Sequence, residues 1–343
     1  MEVTHYNKRE MNAFIKAIEY YLPEKCVDNS DIVKDFPEWS VDKIASKVGV
    51  NKRYVAELSE TSGDLAVCAA KKLIAKNHID HKKIDFILFC TQSPDYFLPT
   101  TACIIQDKLE LNNNIGALDF NLGCSGYIYG LSLAKGLVVS GIAKNVLLLT
   151  GETYNKHLHP KDKGNRTIFG DAASATLISY EGFAEIGNFS LGTDGKGAEN
   201  LIIKTGACRN PIKKDDLYFD DNNNPVSSDY LYMNGSEIFA FTLEKVPILV
   251  KDTLLCNDID GESVDLYIFH QANKYMLDFL RKKIKIKEEK FYYCLSEFGN
   301  TVSNTIPICI YEALKDGSIK NKQKVLITGF GVGYSWGGTV LQF

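Results

Sequence analysis

A cysteine between two glycines is the residue whose type and setting most plainly allow chemistry. Cys124 lies in "DFNLGCSGYIYG", where an apolar run typical of a strand ends and an apolar helical run begins. Backbone N–H groups in the first turn of a helix are unpaired and partly positive, so they favour a thiolate and can hold an oxyanion. Gly123 and Gly126 are expected to leave room for a substrate carbonyl. Cys124 is therefore predicted to be a nucleophile that accepts an acyl group.

A histidine and an asparagine occupy comparable positions later in the chain. His270, in "YIFHQAN", follows a strand-like run and precedes a helix, and Asn300, in "EFGNTVSN", stands before a helix. Each is a weak signal alone, because a lone histidine is more often a packing or surface group and asparagine is a common N-cap. Together with Cys124 they form a set suited to acyl transfer. Papain-like hydrolases also use Cys, His and Asn, but their local signature around the cysteine is absent here.

An internal repeat relates these residues to one another. "IDFILFCTQ" and "VDLYIFHQA" each place an acidic residue before a β-branched and aromatic run, which predicts buried parallel strands. Their superposition sets Cys90 opposite His270. The segments that begin "CSGYIYGLSLAKGL" and "NTVSNTIPICIYEAL" also match, and they set Cys124 opposite Asn300.

Two αβ units of this kind predict two copies of the same arrangement, each a parallel sheet that is covered on both faces. Ligands of such sheets bind beyond the carboxyl ends of the strands, where the cysteine, histidine and asparagine are expected. We divide the chain into an N-terminal half, residues 1–190, which carries the cysteine, and a C-terminal half, residues 191–343, which carries the other two.

Composition argues against several other classes of protein. The 343 residues are 45% hydrophobic and carry a net charge of −4, which allows a large core and gives no electrostatic footprint for nucleic acid. The nine cysteines are scattered and odd in number, and we interpret them as reduced thiols. No spacing typical of zinc ligands is found, so no metal is expected.

The sequence also indicates a location. The stretch "MEVTHYNKREMNAF" lacks the apolar core of a signal peptide, and the long apolar run over residues 131–150 is interrupted by Lys135 and Lys144. We therefore expect a cytoplasmic protein without membrane insertion.

From "AIEYYLPEKCVDNSDI" through "GNRTIFGDAASATLI" to "GFGVGYSWGGTVLQF", the chain resembles the β-ketoacyl-acyl-carrier-protein synthase III family of the thiolase superfamily. "CSG", "HQAN", "FGNT" and the Gly-rich terminal strand stand in the family order. The resemblance implies an α/β thiolase fold, a layered α-β-α-β-α sandwich of two similar halves. It also implies that Cys124 is the nucleophile, that His270 and Asn300 polarise a second thioester, and that the backbone N–H groups of Cys124 and Val332 form the oxyanion hole.

The implied reaction is a decarboxylative Claisen condensation in fatty acid biosynthesis. Cys124 would take an acyl group from acyl-coenzyme A, and malonyl-acyl carrier protein would then lose CO2 and attack the acyl-enzyme. The resemblance implies a homodimer that uses acyl-coenzyme A as a substrate and needs no cofactor.

Further site residues follow from the same resemblance. Trp39 matches a tryptophan that clamps the adenine of coenzyme A, while Lys163 replaces the arginine that completes the clamp. Asn273 and Phe239 match substrate-binding positions. Leu98 stands where an aromatic residue often caps the acyl channel across the dimer, and the smaller cap favours a starter longer or more branched than acetyl.

A basic run on a predicted helix, Arg281, Lys282 and Lys283, is expected to receive an acidic carrier helix, although such a run is also common on solvated helix ends. Tyr275 and Ala240 replace two basic residues of the family, which keeps other acceptors open.

The sequence is also compatible with other functions. The acyl group on the cysteine could pass to an amine, a hydroxyl or a second acyl-coenzyme A, or the chain could be a non-catalytic partner of this fold. A hydroxymethylglutaryl-coenzyme A synthase is disfavoured because no motif for its glutamate base is found. The polar stretch over residues 210–225 is interpreted as either an inserted surface loop or a lid.

Overall fold

The computed structural model describes residues 12–221 and 223–343, so most of the N-terminal stretch read for a signal peptide lies outside the described residues. The strands are β1 Phe14–Tyr21, β2 Cys26–Asp28, β3 Lys52–Tyr54, β4 Phe86–Cys90, β5 Gly116–Phe120, β6 Asn145–Glu152, β7 Ala172–Ser179, β8 Ala184–Ile186, β9 Ser190–Thr193, β10 Leu201–Ile202, β11 Tyr218–Phe219, β12 Pro225–Val226, β13 Tyr232–Met233, β14 Leu266–Phe269, β15 Lys324–Gly331 and β16 Ser335–Gln342. The helices are α1 Asn29–Asp35, α2 Val41–Val48, α3 Ser62–Lys76, α4 Thr101–Lys108, α5 Gly126–Val139, α6 Lys163–Arg166, α7 Gly235–Cys256, α8 Lys274–Ile284 and α9 Thr305–Lys315.

A mixed ten-stranded sheet runs through the molecule in the order β14-β15-β16-β8-β1-β7-β6-β4-β5, with β9 beside β16. Strands β6 and β7 are apolar or small-residue runs that are buried along almost their whole length, as expected for strands covered on both faces. Strand β8 pairs with β1 and also with β16, and the pairing with β16 joins the strands of the first half to those of the second.

The strand pairing confirms the repeat that the sequence predicts. In the first half β4 pairs in parallel with β6, and β6 pairs antiparallel with β7. In the second half β14 pairs in parallel with β15, and β15 pairs antiparallel with β16. Cys90 lies opposite Thr150, and Phe269, the residue before His270, lies opposite Thr328. The two strands that end in Thr-Gly therefore occupy equivalent places, although the predicted match of Cys90 with His270 is shifted by one residue.

The acidic residue before each repeated strand has a structural role. The Asp85 carboxylate accepts hydrogen bonds from the backbone N–H groups of Lys144 and Asn145, both at 2.9 Å. In the same way Asp265 accepts from the N–H of Lys324 at 2.8 Å. Each carboxylate therefore fixes the start of the neighbouring parallel strand.

The helices form three layers around the strands. Helices α3 and α4 pack on the first half, α7 packs on β15 and β16 of the second half, and α8 packs on α7. Between the halves lie α5 and α9, each of which contacts strands of both, and their apolar faces form the central core cluster. This is the layered α-β-α-β-α arrangement that we expected. The division at residues 190 and 191 stays a prediction.

The prediction that all cysteines are reduced is wrong for one pair. Cys294 and Cys309 form a disulfide, with Cα atoms 6.0 Å apart, and the remaining cysteines are free. Cys309 lies on the buried face of α9, and Cys294 belongs to the segment that packs against it. The two elements meet only in the folded chain, so sequence spacing does not reveal the pairing.

Within residues 12–221 and 223–343, no helix combines the length and the apolar character that a membrane span requires. The same residues contain no group of three or more His, Cys, Asp or Glu side chains arranged to hold a metal ion.

Candidate active site

A small pocket lies at the carboxyl ends of β14 and β15, facing the turn before α5. Cys124, His270 and Asn300 all line this pocket and all three are buried, so the structure brings the predicted set together. Its volume of about 80 Å³ is well below the roughly 300–1,000 Å³ of common ligand pockets. The pocket therefore fits the reacting ends of substrates rather than whole molecules. Its apolar walls come from Ile168, Phe169, Leu201, Met233, Ile238, Met276 and Phe330.

The end of β15 packs directly on the turn that carries the cysteine. A Cβ on Gly331 would lie 2.9 Å from Cys124 Cβ and 3.0 Å from its sulfur, and one on Gly329 would lie 2.7 Å from the Cys124 carbonyl oxygen. The Ser125 and Ser335 hydroxyls are hydrogen-bonded to each other, which ties the same turn to β16. Close backbone approach thus fixes where the sulfur lies.

The glycines on either side of the cysteine serve packing instead of substrate entry. A Cβ on Gly123 would lie 2.6 Å from both Gln92 Oε1 and Val332 Cγ1, and one on Gly126 would lie 2.3 Å from the Cys90 sulfur. The prediction that these glycines leave room for a substrate carbonyl is wrong, because protein atoms fill the space.

Burial, with a further contribution from the Glu152 carboxyl, raises the pKa of the Cys124 thiol to about 12. The backbone N–H groups of Cys124 and Val332, which lie near the sulfur, act in the opposite direction. The expected preference for the thiolate is therefore outweighed, because lost hydration raises the pKa more than the backbone N–H groups lower it. The two N–H groups that converge on the sulfur are the pair predicted for the oxyanion hole.

The imidazole of His270 is held by the neighbouring strand and by α9. Its backbone N–H donates to the Thr328 carbonyl at 2.8 Å, and its Nδ1 lies 2.8 Å from Thr305 Oγ1. Burial lowers the pKa of His270 to about 3, although the Val302 carbonyl near the ring acts to raise it. The ring is therefore neutral at physiological pH.

Backbone geometry orients Asn300. The preceding Gly299 has φ +71°, and a Cβ there would lie 2.7 Å from the Ile168 carbonyl oxygen, so glycine is required. Asn300 Oδ1 accepts the backbone N–H of Val302 at 2.9 Å. This bond leaves the amide N–H groups of Asn300 as the donors available to the pocket.

Known proteins are similar to this chain in sequence and in fold. The family described as 3-oxoacyl-[acyl-carrier-protein (ACP)] synthase III matches residues 118–195, and the one described as its C terminal matches residues 255–343. The β-ketoacyl-[acyl-carrier-protein] synthase III of Clostridium perfringens is 35% identical over 332 residues, which cover 96% of this chain and 99% of that protein. The chain belongs to the synthase III family.

Solved structures of the family have the same fold as this chain. One 3-oxoacyl-(acyl-carrier-protein) synthase III superposes with a TM-score of 0.94 at 46% identity, covering 97% of this chain and all (100%) of the other. The synthase from Burkholderia xenovorans LB400 gives a TM-score of 0.87 at 37% identity, covering 96% and 93%. The expected thiolase fold is confirmed.

One buried carboxyl near the pocket was not singled out by sequence reasoning. Glu152 ends β6, and its oxygens accept the Gln92 backbone N–H at 3.2 Å and lie 3.2 and 3.3 Å from the Ser93 and Ser303 hydroxyls. Burial raises its pKa well above the usual value. An acidic residue directly after the apolar run "NVLLLTG" was the available signal.

The predicted substrate-binding residues are distributed around the synthase pocket. Asn273 lines it and caps α8 by accepting the Met276 N–H at 2.9 Å. Phe239 lies beside the lining residue Ile238 and stacks on Tyr275 with ring centroids 5.5 Å apart. The structure leaves their roles as predictions.

The predicted adenine clamp lies outside the residues that line the pocket. Lys163 Nζ is 3.3 Å from Glu38, the residue next to Trp39, so the two predicted clamp residues share one surface region. Trp39 itself is in cation–π contact with Lys43 at 5.1 Å. Arg166, three residues after Lys163, pairs with Asp35 at 2.9 Å.

Other predicted residues are found on the surface. Leu98 is 83% exposed in the described chain and is not part of the pocket lining. In α8, Lys282 and Lys283 are exposed, whereas Arg281 is largely covered and lies 3.4 Å from Glu288. Their carrier-docking role remains a prediction.

The described part of the 210–225 stretch carries a short ribbon, in which β11 pairs with β12. Lys161 lies over the Phe219 ring at 5.4 Å, so this ribbon contacts the loop before α6. The two interpretations of this stretch, a surface loop and a lid, both stay predictions.

Proposed function

We propose that this chain is a condensing acyltransferase that joins an acyl group from acyl-coenzyme A to malonyl-acyl carrier protein. The products are 3-oxoacyl-acyl carrier protein, CO2 and coenzyme A, as in fatty acid biosynthesis. The observation that carries the proposal is that Cys124, His270 and Asn300 line one buried pocket in a chain of the synthase III family.

In the first half-reaction, the Cys124 sulfur attacks the thioester carbonyl of acyl-coenzyme A. A new S–C bond forms, the C–S bond to coenzyme A breaks, and the thiol proton goes to the departing coenzyme A thiolate. The N–H groups of Cys124 and Val332, which already face the sulfur, hold the oxyanion of the tetrahedral intermediate.

In the second half-reaction, the malonyl thioester loses CO2, and the electron pair of the broken C–C bond forms an enolate. The enolate carbon attacks the acyl carbonyl, the S–C bond to Cys124 breaks, and the thiolate regains a proton from solvent. Neutral His270 and the Asn300 amide donate N–H groups to the enolate oxygen.

Substrate binding extends beyond the pocket in this proposal. Trp39 and Lys163 hold the nucleotide end of coenzyme A, while Asn273 and Phe239 contact the arm that carries the thioester. Lys282 and Lys283, with Arg281 behind them, attract the acidic carrier protein. The enzyme works as a cytoplasmic homodimer, without a cofactor, and Leu98 of each subunit caps the acyl channel of the other.

The decisive test is intact-protein mass after incubation with acyl-coenzyme A donors from acetyl to decanoyl. We expect an acyl adduct on the wild type that is absent in Cys124→Ala and is discharged as a 3-oxoacyl product by malonyl-acyl carrier protein. The donor that reacts fastest identifies the starter, and Leu98 predicts one longer or more branched than acetyl. An adduct that the malonyl carrier leaves in place would contradict the condensation, and no adduct from any donor would contradict the acyl-coenzyme A step.

A further inference from the structure

Thr305 contacts a reacting residue without lining the pocket. It is the first residue of α9 and is buried, and its Oγ1 lies 2.8 Å from His270 Nδ1. The same hydroxyl is also within reach to donate to the Val302 carbonyl oxygen, at 3.2 Å. Nothing in the sequence distinguishes it from the other hydroxyl residues of "NTVSNT".

The tautomer of His270 decides whether it can serve the second half-reaction. A neutral imidazole carries one proton, on Nδ1 or on Nε2, and the unprotonated nitrogen is an acceptor. Because Nδ1 is held by Thr305, Nε2 is the nitrogen left for the pocket. Donation to an enolate oxygen requires the proton on Nε2, so Nδ1 must accept a hydrogen bond.

Of the two groups that interact with the imidazole, only one can donate that bond. The Thr305 hydroxyl carries a proton, whereas the Val302 carbonyl, which also interacts with the ring, can only accept. Without the hydroxyl, the carbonyl would attract a proton to Nδ1 and leave Nε2 as an acceptor, which repels an enolate.

The carbonyl does not need the hydroxyl proton. The backbone N–H of Thr305 already donates to the Val302 oxygen. The hydroxyl can therefore turn towards Nδ1 without leaving a buried acceptor unpaired, and no heavy atom has to move.

We propose that Thr305 is a positioning residue that sets the His270 tautomer, with its hydroxyl donating to Nδ1 so that Nε2–H is presented to the enolate oxygen. The inference rests on the proposed function, because it assigns His270 the donor role in the condensation. It separates the two half-reactions, since the attack of Cys124 on acyl-coenzyme A does not need this donor.

The test compares Thr305→Val, which keeps the shape and removes the hydroxyl, with Thr305→Ser, which keeps the hydroxyl. Acylation is followed by intact mass, and condensation by a single turnover of pre-acylated enzyme with malonyl-acyl carrier protein. We expect Thr305→Val to acylate within about threefold of wild type but to condense roughly 100-fold more slowly, the loss typical of one oxyanion donor. Thr305→Ser should match wild type in both.

A spectroscopic measurement reads the tautomer without substrate. In protein labelled with ¹⁵N-histidine, the His270 signals are assigned by their loss in His270→Gln. We expect protonated Nε2 in wild type and in Thr305→Ser, and protonated Nδ1 in Thr305→Val. If Thr305→Val does not fold, Thr305→Ala gives the same comparison.

Equal losses in both half-reactions, no loss in Thr305→Val, or a wild-type ring protonated on Nδ1 would each overturn the inference. A wild-type enzyme that acylates but never condenses would instead refute the proposed function. The two failures are thus distinguishable.

Discussion

At the scale of single residues, burial disfavours the charged forms of the ionisable groups in and beside the pocket. Burial raises the pKa of Cys124 and of Glu152, and burial lowers the pKa of His270. The charges of the reaction, an oxyanion and then an enolate, would therefore develop in a site that contains fixed N–H donors and little competing charge. Such donors act more strongly in a dry pocket than in water.

The depressed pKa of His270, about 3, predicts a flat pH dependence for the condensation step. An ordinary histidine titrates near 6.5, so its donor would change form across physiological pH. We expect single-turnover condensation of pre-acylated enzyme to show no histidine inflection between about pH 5.5 and 8. The rate is measured by quenched product analysis, and an inflection near 6.5 would contradict the assignment.

The charge of Glu152 predicts the reactivity of the free thiol. A carboxylate near the sulfur disfavours the thiolate, so Glu152→Gln should lower the pKa of Cys124. We expect the pH profile of Cys124 alkylation by iodoacetamide to move to lower pH, giving faster labelling at about pH 8–9. Glu152→Asp, which keeps the charge, is the control, and identical profiles for wild type and Glu152→Gln would refute the coupling.

At the scale of elements, the approach of β15 to the turn before α5 positions the nucleophile. An alanine at position 329 would place its Cβ 2.7 Å from the Cys124 carbonyl oxygen and 2.9 Å from Ser125 Cα, which are backbone atoms that cannot turn aside. Gly329→Ala should therefore displace the sulfur and slow acylation roughly 100-fold, the effect of a displacement of about 1 Å. Acylation at the wild-type rate would show that the turn tolerates the shift.

A glycine on a neighbouring helix provides the control and a prediction of its own. Gly136 lies inside α5, and an added Cβ there meets nothing within 4 Å. Gly136→Ala should leave acylation unchanged and stabilise the protein by about 0.5–1 kcal/mol, because alanine loses less backbone entropy in a helix. Thermal unfolding measures the change, and a lower midpoint would contradict it.

The repeat could be read from the sequence because it is carried by local patterns. An acidic residue, an apolar strand and a polar exit recur at Asp85 and Asp265, and parallel pairing then brings the strand ends to one edge. The residues adjacent in sequence to Cys124, His270 and Asn300 were enough to predict that all three lie at this edge of the sheet.

What the sequence did not reveal depends on contacts between distant segments. Thr305 acts on the His270 ring, to which it is hydrogen-bonded, and Glu152 raises the pKa of Cys124. In each pair the two residues are far apart in the sequence. The glycines around Cys124 were misread for the same reason, since their neighbours come from other elements. Burial, which reverses the expected acidity of the thiol, is likewise a property of the assembled fold.

At the scale of the whole molecule, one end of the sheet and a nearby loop are left uncovered by the residues that the structure describes, 12–221 and 223–343. β5 is the last strand of the sheet, and Leu118 on it is 40% exposed. The loop before α4 exposes Tyr96 by 64%, Phe97 by 79% and Leu98 by 83%. An open strand edge and a run of exposed apolar side chains are both features that a second subunit covers.

We therefore expect a homodimer whose interface includes the Leu98 loop, and Leu98→Asp should weaken it, because a carboxylate would be buried against apolar surface. Sedimentation equilibrium should give twice the chain mass for wild type and a shift towards monomer for Leu98→Asp. Leu255→Asp is the control, since Leu255 is 76% exposed at the end of α7, on another element. If Leu98 also caps the partner's acyl channel, Leu98→Asp should change the preferred acyl-coenzyme A in the adduct assay, while Leu255→Asp should not. A monomeric wild type would contradict both the dimer and the shared channel.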